Sequence, residues 1–305
     1  MQYPTAERWK IVILTLSLIL CVAGQLSAGQ VVTPELRQWA HQAIVNEAAL
    51  SFEPDSQTVA VLYFHNRTGR TELDLLEKGL ALMLITDLAK IDNLEVIERA
   101  RLQALIQELE LGASGLVDTD TTQQMGRFLG ARHLVGGIFE GLPSDSIGID
   151  SDILNVPLER LTGTAHAAGA LEELLRMEKE LLFEIVRLLG MDLTAEEEEA
   201  LRQPIAEDIK ALMLLFQGIE HSDLGDYDTA AASYRKALEL EPGMDTARAA
   251  LQELIDMRLI SPPNDTDALL RHLHQQISVN TGPTPNAINR RQNFQPATAN
   301  INVQW

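Results

Sequence analysis

The chain has 305 residues, 46% of them hydrophobic, and carries 44 acidic against 24 basic side chains for a net charge of -20. That excess of acid excludes a nucleic-acid partner, which needs Lys and Arg to displace phosphate counterions, and it disfavours docking on an anionic lipid surface. Aromatic residues make up only 5%, too few for a chain that is a membrane β-barrel with aromatic girdles.

The N-terminus carries a targeting pattern. Arg8 and Lys10 precede the apolar run 11–20 (IVILTLSLIL), and the small residues Ala23, Gly24, Ser27 and Ala28 follow it. Basic, apolar and small-residue regions in that order form a secretory signal, and the run is short for a transmembrane helix. Residues 1–28 are therefore expected to be a cleaved signal peptide, with an uncleaved membrane anchor as the alternative. The single cysteine, Cys21, sits where a lipoprotein cysteine would. Cleavage after Gly24 or Ala28 removes it; cleavage before it leaves a lipid anchor at Cys21. Leu20 favours the first, because a lipobox has a small residue there. In either case no disulfide forms within the chain.

Residues 30–50 read as an amphipathic helix opening at Thr33-Pro34, with Trp39, Ile44 and Val45 turned inward. The run 58–64 (TVAVLYF) is a buried strand ending in a turn at 65–69. A helix over 71–90, capped by Thr71, is apolar on two sides, which places it between a sheet and a neighbour. A strand at 94–97 leads to a helix carrying Leu102, Leu105, Ile106 and Leu109. After the turn 112–115 (GASG), Asp118 or Thr119 caps a helix that ends at Gly130. Strands follow at 133–139, 147–153 and 161–168, the last two an antiparallel pair, and a helix over 170–189 ends at Gly190. This order predicts a mixed sheet covered by helices. The acidic stretch 196–199 is a solvated helix start within a linker, 191–204.

The segments VAVLYFHNRTG (59–69), LEVIERARLQALIQELELGASGLVD (94–118) and MGRFLGARHLVGGIF (125–139) together resemble the CsgG family of curli production and secretion proteins. SIGIDSDILNV (146–156) and MEKELLFEIVRLLGMDLTAEEEEAL (177–201) continue the likeness. Related domains occur in the N-terminal part of the translocation protein TolB and in lipoproteins that activate cell-wall synthases. The resemblance implies a periplasmic or outer-membrane-associated role in assembly or secretion. Pore-forming relatives insert long hairpins, whereas the loop 141–146 is short, so no transmembrane pore is expected.

Gly218, Ala230, Tyr234, Ala237 and Pro242 fall at the spacing of one tetratricopeptide repeat, with the inter-helix turn at 225–227. Small residues let two helices cross closely, the tyrosine fills the space beside them, and proline stops the second helix. Asn264 stands where a second copy would need alanine, so the helix 246–257 is read as a cap. A lone repeat cannot bury its own face and must pack on the first domain or on another chain, which left homo-oligomers open.

Catalytic constellations are absent from the sequence: it has no P-loop, nucleophile elbow, H-E-x-x-H or paired cysteines. The turn 112–115 is in the wrong context for a phosphate loop, Asp118 and Asp120 lack the rest of a calcium loop, and Asp150 with Asp152 reads as a solvated strand face. His272 and His274 have no third ligand nearby. No catalytic, cofactor-binding or metal residue is expected.

The expected organisation is thus a signal peptide (1–28), an N-terminal helix and loop (30–56), a CsgG-like α/β mixed-sheet domain (57–190), a linker (191–204), an all-α tetratricopeptide-type hairpin with its cap (205–258) and a polar tail (261–305). The expected function is non-catalytic, through protein partners in the envelope. A regulator of a cell-wall enzyme is the nearest alternative, and an envelope enzyme with an unrecognised site is the alternative of a different class.

Overall fold

A computed structural model describes residues 30–46, 57–111 and 119–261. Residues 1–29 with Cys21, the turn 112–115, Asp118, Asn264, the histidine pair at 272 and 274, and the tail from 262 lie outside the described residues.

The first helix, α1 (Pro34–Val45), starts as its sequence dictates: Thr33 Oγ1 accepts the Leu36 N–H at 3.2 Å and Pro34 occupies the first turn. Of the residues expected to face inward, Trp39 and Ile44 pack against the core and Val45 does not. Ala40 and Ala43 are buried, Trp39 lies half-buried with Arg101 4.8 Å above its ring, and Val45 is exposed. Small side chains let the helix approach its neighbours closely, and that approach turns Val45 outward.

Strand β1 (Thr58–Val61) opens a fully buried run that continues to Phe64. Residues expected as a turn instead form a short strand, β2 (His65–Asn66), which pairs in parallel with the far half of a later strand. Thr71 does not cap the next helix; it begins a 3-10 turn (Thr71–Leu73) ahead of α2 (Leu75–Leu88). Strand β3 (Glu95–Val96) and helix α3 (Arg99–Glu108) follow, then α4 (Thr119–Leu129), which ends at Gly130 with φ +65°. Three long strands complete the sheet: β4 (His133–Leu142), β5 (Ser146–Asn155) and β6 (Arg160–Ala170). Helix α5 (Leu174–Leu189) closes the domain at Gly190, φ +71°.

The sheet order is β3-β1-β4-β5-β6, with β2 beside β4. β1 runs parallel to β3 and β4, whereas β4, β5 and β6 form an antiparallel meander. This is the expected mixed α/β sheet. Ile147, Ile149, Ser151 and Ile153 alternate toward α5 and are buried there. β4 and β5 are joined by the short turn between Leu142 and Ser146, with Ser144 and Asp145 both left-handed, as tight hairpins require. Among the described residues no helix is long and apolar enough to cross a membrane.

The segment 191–204, expected as a linker, is largely helical. α6 (Ala195–Arg202) begins in a capping box between Thr194 and Glu197, and Leu201 is buried. Glu197 also accepts the Asp92 N–H at 2.7 Å, so the helix is tied to the domain. The chain then enters α7 (Ile209–Asp223), α8 (Tyr227–Leu240) and α9 (Asp245–Asp256). Asp208 and Asp226 cap α7 and α8, and Gly225 makes the turn between them with φ +78°.

The helical hairpin packs as its small residues predict. A Cβ on Gly218 would come within 2.2 Å of the Tyr234 ring, and Ala230, Tyr234 and Ala237 are buried. Pro242 sits exposed after α8, where its carbonyl accepts from Arg248. The hairpin also covers α2. A Cβ on Gly79 would meet the Phe216 ring at 2.4 Å, so the two helices cross with almost no gap. The two faces that suggested self-association, on α2 and on the lone hairpin, therefore cover each other within one chain. The helix α9, expected as a solvating cap, buries Ala247, Ala250 and Leu254 against α8 and carries Glu253 toward the chain's N-terminal segment.

Candidate functional site

Two places in this architecture concentrate polar chemistry. One is the closed junction where α3 meets the hairpin; the other is the open face of β5 and β6.

At the junction, Arg99 opens α3 with its side chain fully buried. Its guanidinium meets Asp223 at the end of α7 through two bonds, Nη1 to Oδ2 at 2.9 Å and Nη2 to Oδ1 at 3.0 Å. It also donates from Nε to Gln30 Oε1 at 2.8 Å, from Nη1 to the Tyr63 hydroxyl at 2.8 Å, and from Nη2 to the Gln30 carbonyl. The Tyr63 hydroxyl in turn donates a hydrogen bond to Gln103 Oε1 at 2.8 Å. Lys78 from α2 adds a second cation, 2.8 Å from Asp223 and 2.7 Å from Glu220. Burial opposes charge on Arg99, but the Asp223 carboxylate overrides it and the guanidinium stays protonated. Burial holds the Tyr63 phenol far above its ordinary range, so it remains a neutral donor. A bidentate, fully hydrogen-bonded pair of this kind fixes one relative placement of the elements that carry it.

A second buried cluster lies between α2 and α5. Asp87 takes Lys90 at 2.6 Å and Lys179 at 2.5 Å, while Glu178 is fully buried 3.4 Å from Lys179 and its oxygens find no hydrogen-bond partner. Burial first, and the Asp87 charge second, push the Glu178 carboxyl up to about 8. Both causes favour the neutral carboxyl at Glu178, whereas Asp87 and Asp223 are each held against two cations.

The open face is built differently. Register puts Asp150 opposite His166 and Asp152 opposite Thr164. His166 Nδ1 stands 2.7 Å from Asp150 Oδ1, and the Thr164 hydroxyl donates to Asp152 Oδ1 at 2.6 Å. These side chains remain wet, with His166 61% and Asp150 42% exposed. Asp150, Asp152 and Thr164 border a groove of about 520 Å³ that is also lined by Leu62, Gly136 and Leu154, by Arg67, and by Thr122 of α4. Gly136 packs closely on Leu62, which a Cβ there would approach at 3.2 Å. Behind the sheet, α5 stands directly over β6: a Cβ on Gly163 would meet Leu188 at 2.6 Å, and one on Gly169 would meet Arg176 at 2.7 Å. One face of β6 is thus sealed by a helix and the other is left to solvent.

Asp150 and Asp152 lie on the solvated strand face that their alternation indicated. Among the described residues no group of three or more His, Cys, Asp or Glu side chains could hold a metal ion. Arg99, Asp223, Asp87 and Glu178 were not singled out in the sequence. A signal existed: Arg99 lies three and seven residues before Leu102 and Ile106, and Asp223 four after Ile219, so both fall on apolar helix stripes.

The protein-family model described as "Curli production assembly/transport component CsgG" matches residues 43–141, from the end of α1 through most of β4. A curated relative, "Putative adenylate cyclase 3" of Rhizobium meliloti (strain 1021), is 26% identical over 202 residues, 65% of this chain and 32% of that protein. The chain therefore spans about a third of the length of the curated relative it matches. Among solved structures, the LpoB C-terminal domain from Salmonella enterica is 14% identical, with a TM-score of 0.32 over 44% of this chain and 95% of that one. Lipoprotein GNA1162 from Neisseria meningitidis is 12% identical, with a TM-score of 0.33 over 45% of this chain and 99% of that one.

Proposed function

We propose that this chain is an exported, non-catalytic accessory protein of the cell envelope that works by binding a protein partner on the open face of β5 and β6. The observation that carries the reading is the contrast across the sheet. One face is sealed by α5 down to glycine contacts, whereas the other presents Asp150, Asp152 and Thr164 around a groove, with His166 paired to Asp150 beside it. A surface groove of mixed apolar floor and polar rim is how proteins recognise one another, and the buried charges elsewhere are already committed to each other. The net charge of -20 and the two aspartates select a partner with a basic contact segment.

The assembly and transport description of the family model supports the class of role, and the basic, apolar, small-residue order of 8–28 supports export. Within that class, the finer reading is assembly or secretion of an envelope structure. The hairpin of Gly218, Ala230, Tyr234, Ala237 and Pro242 serves as a single tetratricopeptide-type repeat whose face is spent on α2 rather than on a partner. The protein builds no pore of its own, a reading that the short β4–β5 turn supports.

Capture from envelope extract tests this. Tagged full-length protein is compared with Asp150→Lys/Asp152→Lys, a pair of surface changes that leaves the core untouched. The expected result is a partner retained by the unchanged protein and lost from the variant at the same melting temperature. Equal retention by both overturns the surface assignment. Mass spectrometry of the captured bait checks export: its N-terminus is expected at or after Cys21, and an intact Met1 contradicts that.

A further inference from the structure

Residues 30–32 enter the body of the protein as a short buried strap, with Gln30 and Val31 at 4% exposure and Val32 at 7%. The way the strap is held is unusual for core. The Gln30 N–H donates to Glu253 Oε2 at 2.9 Å, and the Val31 N–H donates to Glu253 Oε1 at 3.1 Å. The Gln30 carbonyl and side-chain oxygen both accept from Arg99. One carboxylate on α9 thus reads two consecutive backbone donors, and one guanidinium on α3 reads the acceptors between them. Two successive N–H groups closing on one carboxylate form a nest, which the bend of the backbone at Val31 allows.

The charges explain why the place must be filled. Without the strap, Arg99 would lose the acceptors of Nε and one bond of Nη2, and Glu253 would lose both donors while remaining largely desolvated. Burial already raises the Glu253 carboxyl above its ordinary range, and only the Gln30 and Val31 amides and Arg99 oppose that. Leaving buried charged groups without partners costs far more than exchanging one set of partners for another.

We infer that the cleft between α3, α7 and α9 is a site for a bent peptide segment, occupied in cis by residues 30–32. The strap is a built-in ligand: two consecutive N–H groups turned to one carboxylate, a carbonyl between them and a pair of β-branched aliphatic side chains. When it is withdrawn, a peptide of the same chemistry takes its place. The inference does not rest on the open face of β5 and β6, and its test is separate.

The test uses the full chain with Gln30→Pro/Val31→Pro, which removes both donated N–H groups and leaves the cleft intact. The probe is a fluorescein-labelled synthetic peptide of residues 29–36 (GQVVTPEL), read by fluorescence anisotropy. The expected result is saturable binding to the double-proline chain and none to the unchanged chain over the same concentrations. Adding Glu253→Gln to the double-proline chain is expected to weaken binding at least about tenfold, since a charge-assisted pair of bonds is lost. No binding to a folded double-proline chain, equal binding to the unchanged chain, or indifference to Glu253→Gln each overturns the proposal. If the double-proline chain does not fold, hydrogen exchange on the unchanged protein decides. A cis ligand opens locally, so the amides of 31 and 32 exchange faster than those of α3 and α9. Exchange of all of them in one global step marks the strap as ordinary core and overturns it.

Discussion

The junction at Arg99 and the open face at Asp150 use the same kinds of side chains to opposite ends. At the junction the ion pair is dry, with Arg99 fully buried and Asp223 at 3% exposure, and every donor of the guanidinium is spoken for within the chain. On the open face the pairs are wet, and water competes for each of them. A buried charge pair adds little net stability over an apolar substitute, but breaking it is expensive, so it fixes geometry. An exposed pair contributes little to stability and is free to exchange partners. The difference between the two regions is therefore one of commitment: one set of charges places the hairpin, and the other remains available for recognition.

The strongest way to break this comparison is at the junction. Asp223→Asn leaves Arg99 buried without its counter-charge and is expected to cost about 3–5 kcal/mol in urea unfolding. A loss below 1 kcal/mol would show that the pair is not sealed. Next comes the hairpin itself. Gly218→Leu drives a side chain into the Tyr234 ring and is expected to cost about 1–3 kcal/mol, visible as a lower melting temperature. An unchanged melting temperature would remove the close crossing.

The buried carboxyl sharpens the comparison through pH. Glu178 is raised to about 8 from an ordinary 4.5, so between those values the folded chain binds more protons than the unfolded one. Its contribution to stability is complete below the lower value and is lost as pH rises through the upper. Glu178→Gln keeps the neutral shape and is expected to shrink the fall in urea midpoint between about pH 5 and about pH 8.5. An equal fall in both proteins contradicts a protonated Glu178. The smallest effect is predicted for the open face, where Asp150→Lys should change stability by no more than about 0.5 kcal/mol in the same unfolding assay. A larger loss would mean that the wet pairs hold the sheet together.

Much of the fold was legible because its elements obey local rules. Thr33-Pro34 starts α1, Gly130 and Gly190 end their helices, and the alternation of Ile147, Ile149 and Ile153 turned β5 to the correct face. The hairpin was legible from the small residues that its crossing demands. What local rules could not supply were long-range partners. His65 and Asn66 became a strand because β4 runs past its first neighbour and offers free backbone groups at Ile138 and Phe139. The expected linker became α6 because Glu197, taken as a solvated acid, caps its own helix and accepts from Asp92. The junction was missed for the same reason: Arg99 and Arg101 look alike in sequence, yet one is buried against Asp223 and the other lies over Trp39. Reading an ionisable residue on an apolar stripe as a buried pair in search of its partner would have singled out Arg99, Asp223, Asp87 and Glu178 together.

Site-specific photo-crosslinking in the native envelope tests the central claim, that the open face of β5 and β6 is the contact surface, most directly. A photoreactive amino acid is placed at Thr162, exposed on β6, and separately at Leu224, 72% exposed at the tip of the hairpin. Irradiation is predicted to give a discrete crosslinked protein from position 162 and none from position 224. A crosslink from 224 with none from 162 would contradict the account and move the binding surface to the hairpin.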